Sequence, residues 1–514
     1  EKNGVLLDPA ARRARVLAEA RRLALAQGGS LVEDGELVGI VANLLESPVA
    51  MAGTYDAAFL ALPREVIVTA LKAHQRYFSV AGRRGKLLPS FVAFADAGAR
   101  AARGIVKGYA RVLRARLADA VFYYREDTSK PFDSMAGKLA GIVWLEGLGT
   151  LAEKAARIEA LALRMHAAWG SGGPELEPVI RRAALLAKAD LASEMVKDGK
   201  EFTALQGYIG REYARASGEQ DDVAEAIYEH YLPRFAGDDL PKGQASTLLA
   251  LADKIDTITG CFVMGLEPSG SQDPYALRRH ATGIARILMA ARAPLSLADA
   301  IGESVDLYRE PAARRGLARG ALLASLREFY SQRVLTILRA EGVDHDLVAA
   351  ILGAPWEYPY AALEMAAELG RLRKSGELGP FVLAMKRMAN IIPRARRDAF
   401  DDASGLQALA ALAGRRESEL GISASLFVEE AERNLAGAVS EACVKLLDAR
   451  RSRQVETSIG IIRAIVPYVN KFFDEVLVNC EDEKIRNNRI DFLSGSYGAF
   501  RLFCDFSLIA GEQA

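Results

Sequence analysis

Helical periodicity runs through most of this sequence and constrains its fold more than any other feature. Leu113, Leu117 and Val121 recur every four residues and would form one apolar stripe along a helix. Residues 151–290 form a helical block, and a second helical block fills the remainder of the chain. Turn-forming residues interrupt this second block at 353–355, 376–380 and 403–405. The sequence therefore predicts a mostly α protein.

The first 110 residues follow a different pattern. Residues 10–26 are rich in Ala and Arg and predict a helix that ends before the glycine pair at 28–29. Short stretches of β-branched and aromatic residues at 66–69, 77–80 and 91–94 predict strands. We expect an α+β region here. A chain of 514 residues has room for about three domains, so the whole chain is predicted to be multi-domain.

Composition and charge exclude several classes of protein. Half of the residues are hydrophobic and 26% are charged, which is typical of a packed globular chain and not of a disordered one. The 66 basic and 66 acidic side chains cancel. A polyanionic partner would therefore have to be bound by local basic patches, because there is no net field to attract it.

The cysteines and the apolar runs indicate the cellular compartment. Cys261, Cys443, Cys480 and Cys504 show no CxxC spacing, so they are predicted to be reduced thiols in the core. No apolar run approaches the roughly twenty residues that span a bilayer, and no signal-like segment follows the basic start. We expect a cytoplasmic protein without membrane contact. Because it starts at Glu1 and not at Met, we also expect it to be part of a longer protein.

A search for a self-contained active site finds little. The sequence has no P-loop and no HExxH zinc motif. The glycine-rich residues 147–150 lack a third glycine and a preceding long strand, so a turn at the start of a helix is the better interpretation. The pair His345-Asp346 could belong to a metal phosphohydrolase, but Asp344 is predicted to cap a helix, with Asp346 in its first turn. We predict no catalytic residue and no metal site.

Basic residues concentrate between positions 371 and 400, where eight Lys and Arg face two acidic residues. Such a patch could hold phosphates. One predicted helix within it, which Pro393 ends, has an apolar stripe and a basic face. The stripe comprises Phe381, Met385, Met388 and Ile392, and the other face carries Lys386, Arg387 and Asn390. A basic helix face is also common on ordinary solvated surfaces, so the pattern fits both interpretations.

A second basic stretch covers residues 81–130, with eleven basic against four acidic side chains. Arg111 and Arg114 lie three residues apart on one predicted helix face and could bind consecutive phosphates. They could equally form internal salt bridges with the carboxylates of Asp119, Glu126 and Asp127. By contrast, residues 219–239 carry seven acidic residues and one arginine, which should repel a nucleic-acid backbone and face a protein partner or water.

Several long motifs follow one another along the chain. They are PREVIVTALKAHQRYF at 63–78, RVLRARLADA at 111–120, LQGYIG at 205–210, HYLPRFAGD at 230–238, ADKID at 252–256, DPYALRR at 273–279, FFDEV at 472–476 and RNNR at 486–489. In this order they resemble the beta subunits of bacterial glycyl-tRNA synthetases, over essentially the whole chain. These subunits usually begin well upstream of the position that corresponds to Glu1, so the chain would lack their N-terminal part.

The resemblance implies a division of labour between two subunits. In this family the alpha subunit holds the class II site that activates glycine, so ATP and Mg²⁺ are expected there and no cofactor is expected on this chain. The beta subunit mainly binds and positions tRNA(Gly). The resemblance also implies an assembly of two alpha and two beta chains.

The same resemblance implies four regions. Residues 1–145 would be similar to the editing-type domain of the phenylalanyl-tRNA synthetase beta chain. Residues 150–300 would form an HD-like helical domain, and residues 301–375 a helical linker. Residues 376–514 would form a helical anticodon-binding domain similar to that of arginyl-tRNA synthetase.

The HD-like region departs from the metal-dependent pattern. A working HD site places histidines beside aspartates, because imidazole and carboxylate together hold the divalent ions. Here Lys188-Ala189-Asp190 stands in place of the central His-Asp pair, and Asp253 matches the later aspartate. Alanine cannot ligate a metal, and Lys188 would repel one. We expect a non-hydrolytic domain in which Asp190 and Asp253 have structural or tRNA-facing roles.

The C-terminal region is expected to read the anticodon. Val469, Phe472, Phe473, Val476 and Cys480 are predicted to form one buried helical stripe. Unstacked bases are recognised by Arg planes and by hydrogen bonds from Arg and Asn. The candidate tRNA-binding residues are Arg111, Arg114, Lys386, Arg387, Asn390, Arg394, Arg396, Arg397, Arg486, Asn487 and Arg489. For Arg489, a buried arginine that joins helices is the alternative.

Two other functional classes stay open at this point. One is an HD-type metal-dependent phosphohydrolase, which would carry divalent metal. The other is an assembly scaffold, which would bind the alpha subunit but not tRNA. The sequence does not decide whether the editing-like region hydrolyses anything, which bases are read or which surface docks the alpha subunit.

Overall fold

The computed structural model describes residues 5–73, 75–96, 102–197, 200–353 and 356–510. His74 of the motif at 63–78 lies outside these residues. The chain is predominantly helical and forms two compact units, Glu1–His166 with Gly170–Asp256 and Ala167–Trp169 with Thr257–Ala514. The predicted mostly α, multi-domain fold is therefore confirmed. The finer division into four regions stays a prediction.

The N-terminal part of the first unit is α+β. Helix α1 begins where the Asp8 carboxylate accepts hydrogen bonds from the backbone N–H groups of Ala10 and Ala11, and Pro9 fixes a helical φ at its first position. The antiparallel sheet has the order β1-β3-β4-β2, and its inner face shares a core with α1 and α2. The elements are α1 (Pro9–Ala26), β1 (Ser30–Leu31), α2 (Gly35–Leu44), β2 (Pro48–Thr54), α3 (Arg64–Lys72), β3 (Phe78–Ala81) and β4 (Leu87–Asp96).

One of the three predicted strands is wrong. The strands predicted at 77–80 and 91–94 are found as β3 and β4, but residues 66–69 lie inside α3. Val66, Ile67, Ala70 and Leu71 are all buried, which is a helical spacing. A short β-branched run cannot be assigned to a strand or a helix by periodicity alone, and here the packing of the longer segment decides.

The rest of the first unit is helical. Helix α6 begins with a reciprocal cap, in which the Thr150 hydroxyl accepts from the Glu153 N–H and the Glu153 carboxylate accepts from the Thr150 N–H. The predicted turn lies at residues 147–148, and Gly149–Thr150 forms a short strand, which was not predicted, directly before α6. The elements are α4 (Ala102–Thr128), α5 (Phe132–Lys138), β5 (Val143–Leu145), β6 (Gly149–Thr150), α6 (Leu151–Trp169), α7 (Leu176–Leu186), α8 (Glu194–Lys197), α9 (Tyr208–Ala216), α10 (Asp221–Glu229) and α11 (Gln244–Val263).

The second unit is built from helices around one large hydrophobic core. Residues from Ala285 to Ile509 contribute to this core, so the segments on either side of residue 376 share it. The helices are α12 (Leu277–Ala290), α13 (Leu297–Leu307), α14 (Arg309–Arg314), α15 (Arg319–Ala340), α16 (His345–Leu352), α17 (Pro359–Lys374), α18 (Leu378–Ile391), α19 (Arg394–Asp398), α20 (Asp402–Ala413), α21 (Glu430–Arg451), α22 (Val455–Ala464), α23 (Val466–Glu475) and α24 (Glu483–Arg501).

Two local predictions in this unit are corrected. Helix α23 ends at Glu475, so Val476 is buried from an extended backbone, and Cys480 lies partly exposed beyond the helix. Asp344 is the first residue before α16, but its carboxylate makes no hydrogen bond to the helical amides. It pairs with Arg373 at 2.5 Å, and Asp346 pairs with the same guanidinium at 2.6 Å. The charge-assisted contact to the Arg373 guanidinium takes the place of the predicted cap.

The cysteines are free thiols, of which Cys261, Cys443 and Cys504 are buried as predicted. Burial raises the pKa of the Cys443 thiol to about 12. Within the described ranges, no helix combines the length and the apolar character that crossing a membrane would need.

Candidate nucleic-acid interface

Helix α4 presents a row of exposed cations. Arg111 and Arg114 are exposed on one face, and Arg103 and Lys107 continue the same row at spacings of four residues. Among the described residues, none of these four side chains has a carboxylate within 4.0 Å. The sequence interpretation found only two of the four. The i, i+4, i+8, i+11 spacing of the basic residues was the signal that would have found the others.

The internal salt bridges considered for Arg111 and Arg114 do not form. The Glu126 carboxylate pairs with Lys130 at 2.5 Å instead. Asp127 is buried, and its carboxylate accepts hydrogen bonds from the Tyr213 hydroxyl at 2.6 Å and from two backbone N–H groups at the start of α8. Asp127 therefore holds helices together, and the row on α4 stays open to an anionic partner.

At least four of the eight cations in the basic cluster at 371–400 form ion pairs with carboxylates of the second unit that lie outside the cluster. Its ion pairs join Arg371 to Glu368, Arg373 to Asp344 and Asp346, Arg387 to Asp474, and Arg396 to Asp491. Most of these partners lie far away in sequence, so a count of local charge could not reveal them. The phosphate-binding capacity of this segment is smaller than its composition indicates.

The basic face of α18 stays partly accessible. Its apolar stripe is buried as predicted, since Phe381, Met385, Met388 and Ile392 are at most 2% exposed. Arg387 is partly exposed and stacks on the Phe473 ring with its guanidinium carbon 5.2 Å from the ring centroid, in addition to its ion pair. Lys386 is partly exposed, Asn390 is exposed, and Lys386 has no carboxylate partner among the described residues.

The three arginines after Pro393 differ in their surroundings. Arg394 and Arg396 are exposed, and Arg396 is held by the Asp491 carboxylate. Arg397 is partly buried and donates a hydrogen bond to the Ala389 carbonyl oxygen at 3.1 Å, which closes the end of α18. Arg397 therefore has a structural partner inside its own segment.

The start of α24 separates its candidates into exposed and buried side chains. Asp482 caps the helix, Asn487 is exposed, and Arg486 donates to the backbone carbonyl oxygen of Cys480 at 2.9 Å. Arg489 is 5% exposed and makes a bidentate ion pair with Glu432, at 2.7 Å and 3.0 Å. This geometry is that of the alternative considered for Arg489, an arginine that ties helices together, and it leaves the guanidinium away from solvent.

The HD-like remnant forms a buried network of ion pairs. Lys188 Nζ lies 2.9 Å from Asp253 Oδ2, and Lys154 Nζ lies 3.1 Å from Asp253 Oδ1. Lys154 also contacts Asp256 at 2.9 Å. Burial by itself would raise the pKa of Asp253, but the two ammonium groups outweigh it and hold that pKa well below its usual range. The Asp253 carboxylate is thus saturated by positive charge from the chain.

Asp190 lies in the same buried region but in a different electrostatic state. Its Oδ2 accepts a hydrogen bond from the Gly207 N–H at 2.6 Å, while Oδ1 has no partner among the described residues. Burial raises the pKa of Asp190 to about 6. His230 Nδ1–H donates a hydrogen bond to the Ile227 carbonyl oxygen at 2.7 Å, and burial lowers the pKa of His230 well below 6.5, so its ring is neutral.

These residues do not fit a divalent metal. Asp253 would have to be a metal ligand, but the Lys188 ammonium contacts its carboxylate. The positive charge of Lys188 repels a metal cation from this position. In the described part of the chain, no three histidine, cysteine or acidic side chains converge in a way that could hold a metal. Lys154, Lys254, His230 and Tyr231 also belong to this cluster. His230, Tyr231 and Lys254 lie in the motifs at 230–238 and 252–256, but a motif does not show which of its side chains meet in the folded chain, so the sequence did not predict the cluster.

Comparisons with known proteins agree with the motifs. A family model described as the glycyl-tRNA synthetase beta subunit matches residues 1–353. The chain is 38% identical over 509 residues to the glycine--tRNA ligase beta subunit of Desulforamulus reducens, covering 99% of this chain and 69% of that protein. The corresponding protein of Myxococcus xanthus is 37% identical over 516 residues, covering 100% of this chain and 70% of that protein.

A third relative extends the same result. The glycine--tRNA ligase beta subunit of Clostridioides difficile is 35% identical over 509 residues, covering 99% of this chain and 69% of that protein. The matches run along nearly the whole chain and include both compact units. The chain therefore belongs to the glycyl-tRNA synthetase beta subunit family.

Proposed function

We propose that this chain is the tRNA-binding subunit of a glycine--tRNA ligase, and that it positions tRNA(Gly) for a separate alpha subunit. The alpha subunit would activate glycine with ATP and Mg²⁺, and two chains of each kind would assemble. Membership of the family supports this proposal. The buried lysines of the HD-like region also support it, because they disfavour a metal-dependent hydrolase on this chain.

The observation that carries the proposal is the row of cations on α4. Arg103, Lys107, Arg111 and Arg114 are exposed, and in the described ranges no carboxylate pairs with them. An unpaired cation gains the full benefit of counterion release when it meets a phosphate. A surface arginine that already holds a carboxylate must first give that contact up.

The mechanism is positional. Contacts to phosphates fix the orientation of the tRNA without reading its sequence, whereas base contacts give specificity. We expect the base contacts at exposed side chains of the second unit, among which Lys386, Asn390 and Asn487 are accessible. Fixing the tRNA raises the effective concentration of its terminal adenosine hydroxyl at the activated glycine, so binding energy is used to orient the reaction.

The experiment compares two double variants in the complex with the alpha subunit. Arg111→Ala with Arg114→Ala removes two unpaired cations. Arg21→Ala with Arg22→Ala is the matched control in the same unit, because both side chains are exposed but paired with Glu33 and Glu19. We expect the first variant to weaken tRNA(Gly) binding and to flatten its dependence on salt by about 1.5 in the log–log slope.

The control and the wild-type complex decide between the alternatives. The control should keep nearly the wild-type slope, and glycine-dependent ATP–pyrophosphate exchange should be unchanged in both variants. A wild-type complex in which this chain adds nothing to tRNA binding would make it a scaffold. Loss of exchange with intact tRNA binding would place the chemistry on this chain, and stoichiometric manganese, iron or zinc in the purified chain would favour a phosphohydrolase.

A further inference from the structure

The second unit contains an apolar cavity of about 370 Å³ beside the C-terminal end of α21. Its lining combines residues from the start of α17, the start of α22 and the end of α24. Apolar side chains form its interior, among them Met365, Leu447, Leu502 and Phe503. The volume falls in the range of small-molecule sites, which begin at roughly 300 Å³.

Arginines surround this cavity. Arg450, Arg451 and Arg453 all line it, and its described lining includes no acidic residue. None of the three has a carboxylate within 4.0 Å among the described residues. This distinguishes them from Arg371 and Arg387 of the same unit, which are both held in ion pairs. The cavity thus joins an apolar interior to an uncompensated positive edge.

Arg453 has two unusual features. Its guanidinium carbon lies 4.7 Å from the centroid of the Tyr358 ring, so the two groups form a cation–π pair beside the cavity. Its φ of 52° is left-handed, at the position that terminates α21, where glycine is usual. The Gln454 N–H donates to the Ala449 carbonyl oxygen at 2.9 Å and completes this helix end. The backbone here would be more relaxed with a glycine.

Two helices also begin at the cavity. Tyr358 and Ala361 belong to the start of α17, and Gln454 and Val455 to the start of α22. Neither helix has a side-chain cap on its first N–H groups, and α17 has no acidic residue in its first turn. The positive end of α17 adds to the potential that the arginines create and favours an anion, whereas Glu456 in the first turn of α22 offsets the positive end of that helix.

We propose that this cavity holds one unstacked nucleobase of a bound RNA, together with its flanking phosphates. The base stacks on the Arg453–Tyr358 pair and enters the apolar interior, and Arg450 and Arg451 bind the phosphates on either side. Aromatic and guanidinium planes accept the face of any base, and arginine matches phosphate geometry with two donors. This inference rests on the proposed function, and it adds a base-binding site to it.

The test uses the complex with the alpha subunit, a tRNA(Gly) transcript and four variants. Arg450→Ala with Arg451→Ala removes the phosphate contacts, and Arg453→Gly removes the stacking plane while keeping a backbone that glycine adopts easily. Ala361→Leu fills the cavity without changing charge. Arg415→Gly is the matched control, since Arg415 is exposed, has a φ of 53° and does not line the cavity.

We expect the three cavity variants to weaken tRNA binding by roughly tenfold, as loss of a stacked base or of phosphate contacts does. Arg415→Gly should stay within twofold of wild type. Thermal denaturation checks the fold, and Arg453→Gly should be at least as stable as wild type because its backbone strain is relieved.

The outcomes separate this inference from the proposed function. A wild-type complex in which this chain does not contribute to tRNA binding removes the proposed function itself. If Ala361→Leu binds tRNA as tightly as wild type, the cavity assignment alone is overturned, because no base then enters the interior. This holds even if the arginine variants weaken binding. Titration with the four nucleoside 5′-monophosphates adds a second arm. Micromolar binding of one of them, with tRNA binding insensitive to Ala361→Leu, would assign the cavity to a free nucleotide and overturn the RNA assignment.

Discussion

The ion pair between Arg489 and Glu432 allows a quantitative prediction. The same experiment tests whether Arg489, a candidate tRNA-binding residue, contacts RNA. Replacing Arg489 with Met removes the guanidinium but keeps much of its apolar volume. The Glu432 side chain is fully buried and still accepts one hydrogen bond from the Glu429 N–H at 2.7 Å. The variant must therefore either bury an unpaired carboxylate or protonate it.

Protonation sets the upper limit of this penalty. The ordinary pKa of a glutamate is 4.5, and holding it protonated at pH 7 costs about 3.4 kcal/mol at 1.36 kcal/mol per unit. Breaking buried ion pairs costs about 3–5 kcal/mol in general, so protonation limits the loss here to about 3 kcal/mol. The lost hydrogen bond to the Leu477 carbonyl oxygen adds about 1 kcal/mol.

The pH dependence has a definite sign. In wild type, burial by itself would raise the pKa of Glu432, but the Arg489 guanidinium outweighs it and lowers that pKa. In the variant, the pKa of Glu432 in the folded state rises above 4.5, its value in the unfolded chain. Between pH 4.5 and this raised pKa, the folded state therefore binds more protons than the unfolded state. The stability deficit of Arg489→Met should therefore grow with pH, with its charge component rising from about 1 kcal/mol at pH 5 to about 3 kcal/mol at pH 7.

Urea denaturation followed by circular dichroism at pH 5 and pH 7 measures this deficit. Adding Glu432→Gln keeps an acceptor for the Glu429 N–H and removes the charge, so the double variant should recover most of the stability at pH 7. Arg486→Met on the same helix is the control and should cost less than about 1 kcal/mol, since this side chain has no ion pair with any described residue.

Binding of tRNA by the stable double variant provides the refutation. We expect its affinity to equal that of wild type, because Arg489 does not reach solvent. If the double variant recovers its stability but loses tRNA affinity, Arg489 contacts RNA and the structural assignment is wrong. A single variant with no deficit at pH 7 would refute the energetic reasoning.

Three further predictions concern buried groups. Asp253→Asn should destabilise the first unit by about 3 kcal/mol or more in urea denaturation at pH 7, because the buried Lys188 then loses the carboxylate that it contacts at 2.9 Å. Burial raises the pKa of Asp190 to about 6, so the wild-type chain loses stability as pH rises from 3.8 to that value. The free energy of unfolding of Asp190→Asn should therefore increase by about 2 kcal/mol relative to wild type between pH 4.5 and pH 7.5. A constant difference across this range would contradict it. Cys480 should react first with a thiol reagent under native conditions, and Cys443 only on unfolding, as thiol counts against time would show.

The sequence predicts helices well where an amphipathic stripe is long. The stripe from Phe381 to Ile392 is buried as expected, and the helix ends before Pro393. Residues 66–69 were misassigned because four β-branched or apolar residues are too few to separate a period of 2 from one of 3.6. Cys480 was misplaced for a related reason, since a residue that continues a stripe in sequence can follow the end of the helix.

The candidate site was harder to predict than the fold, because ion pairs depend on partners that are distant in sequence. Arg396 pairs with Asp491 and Arg387 with Asp474, so a strongly basic segment loses part of its available positive charge to ion pairs when the chain folds. The acidic residues 219–239 behave in the same way, as Glu219 pairs with Arg182 and Glu225 with Arg215. Among the described residues the four cations on α4 have no carboxylate partner, and two acids of that helix hold other groups, since Glu126 pairs with Lys130 and Asp127 accepts from the Tyr213 hydroxyl.

The ammonium groups of Lys154 and Lys188 have a consequence for how the first unit matures. A hydrolytic relative of this helical arrangement would need a divalent ion to neutralise its aspartates, and its folding would follow the supply of that ion. Here the neutralising charges are lysine side chains of the polypeptide itself. The core of this unit can therefore pack without a metal ion, and neither chelators nor metal starvation should affect its folding.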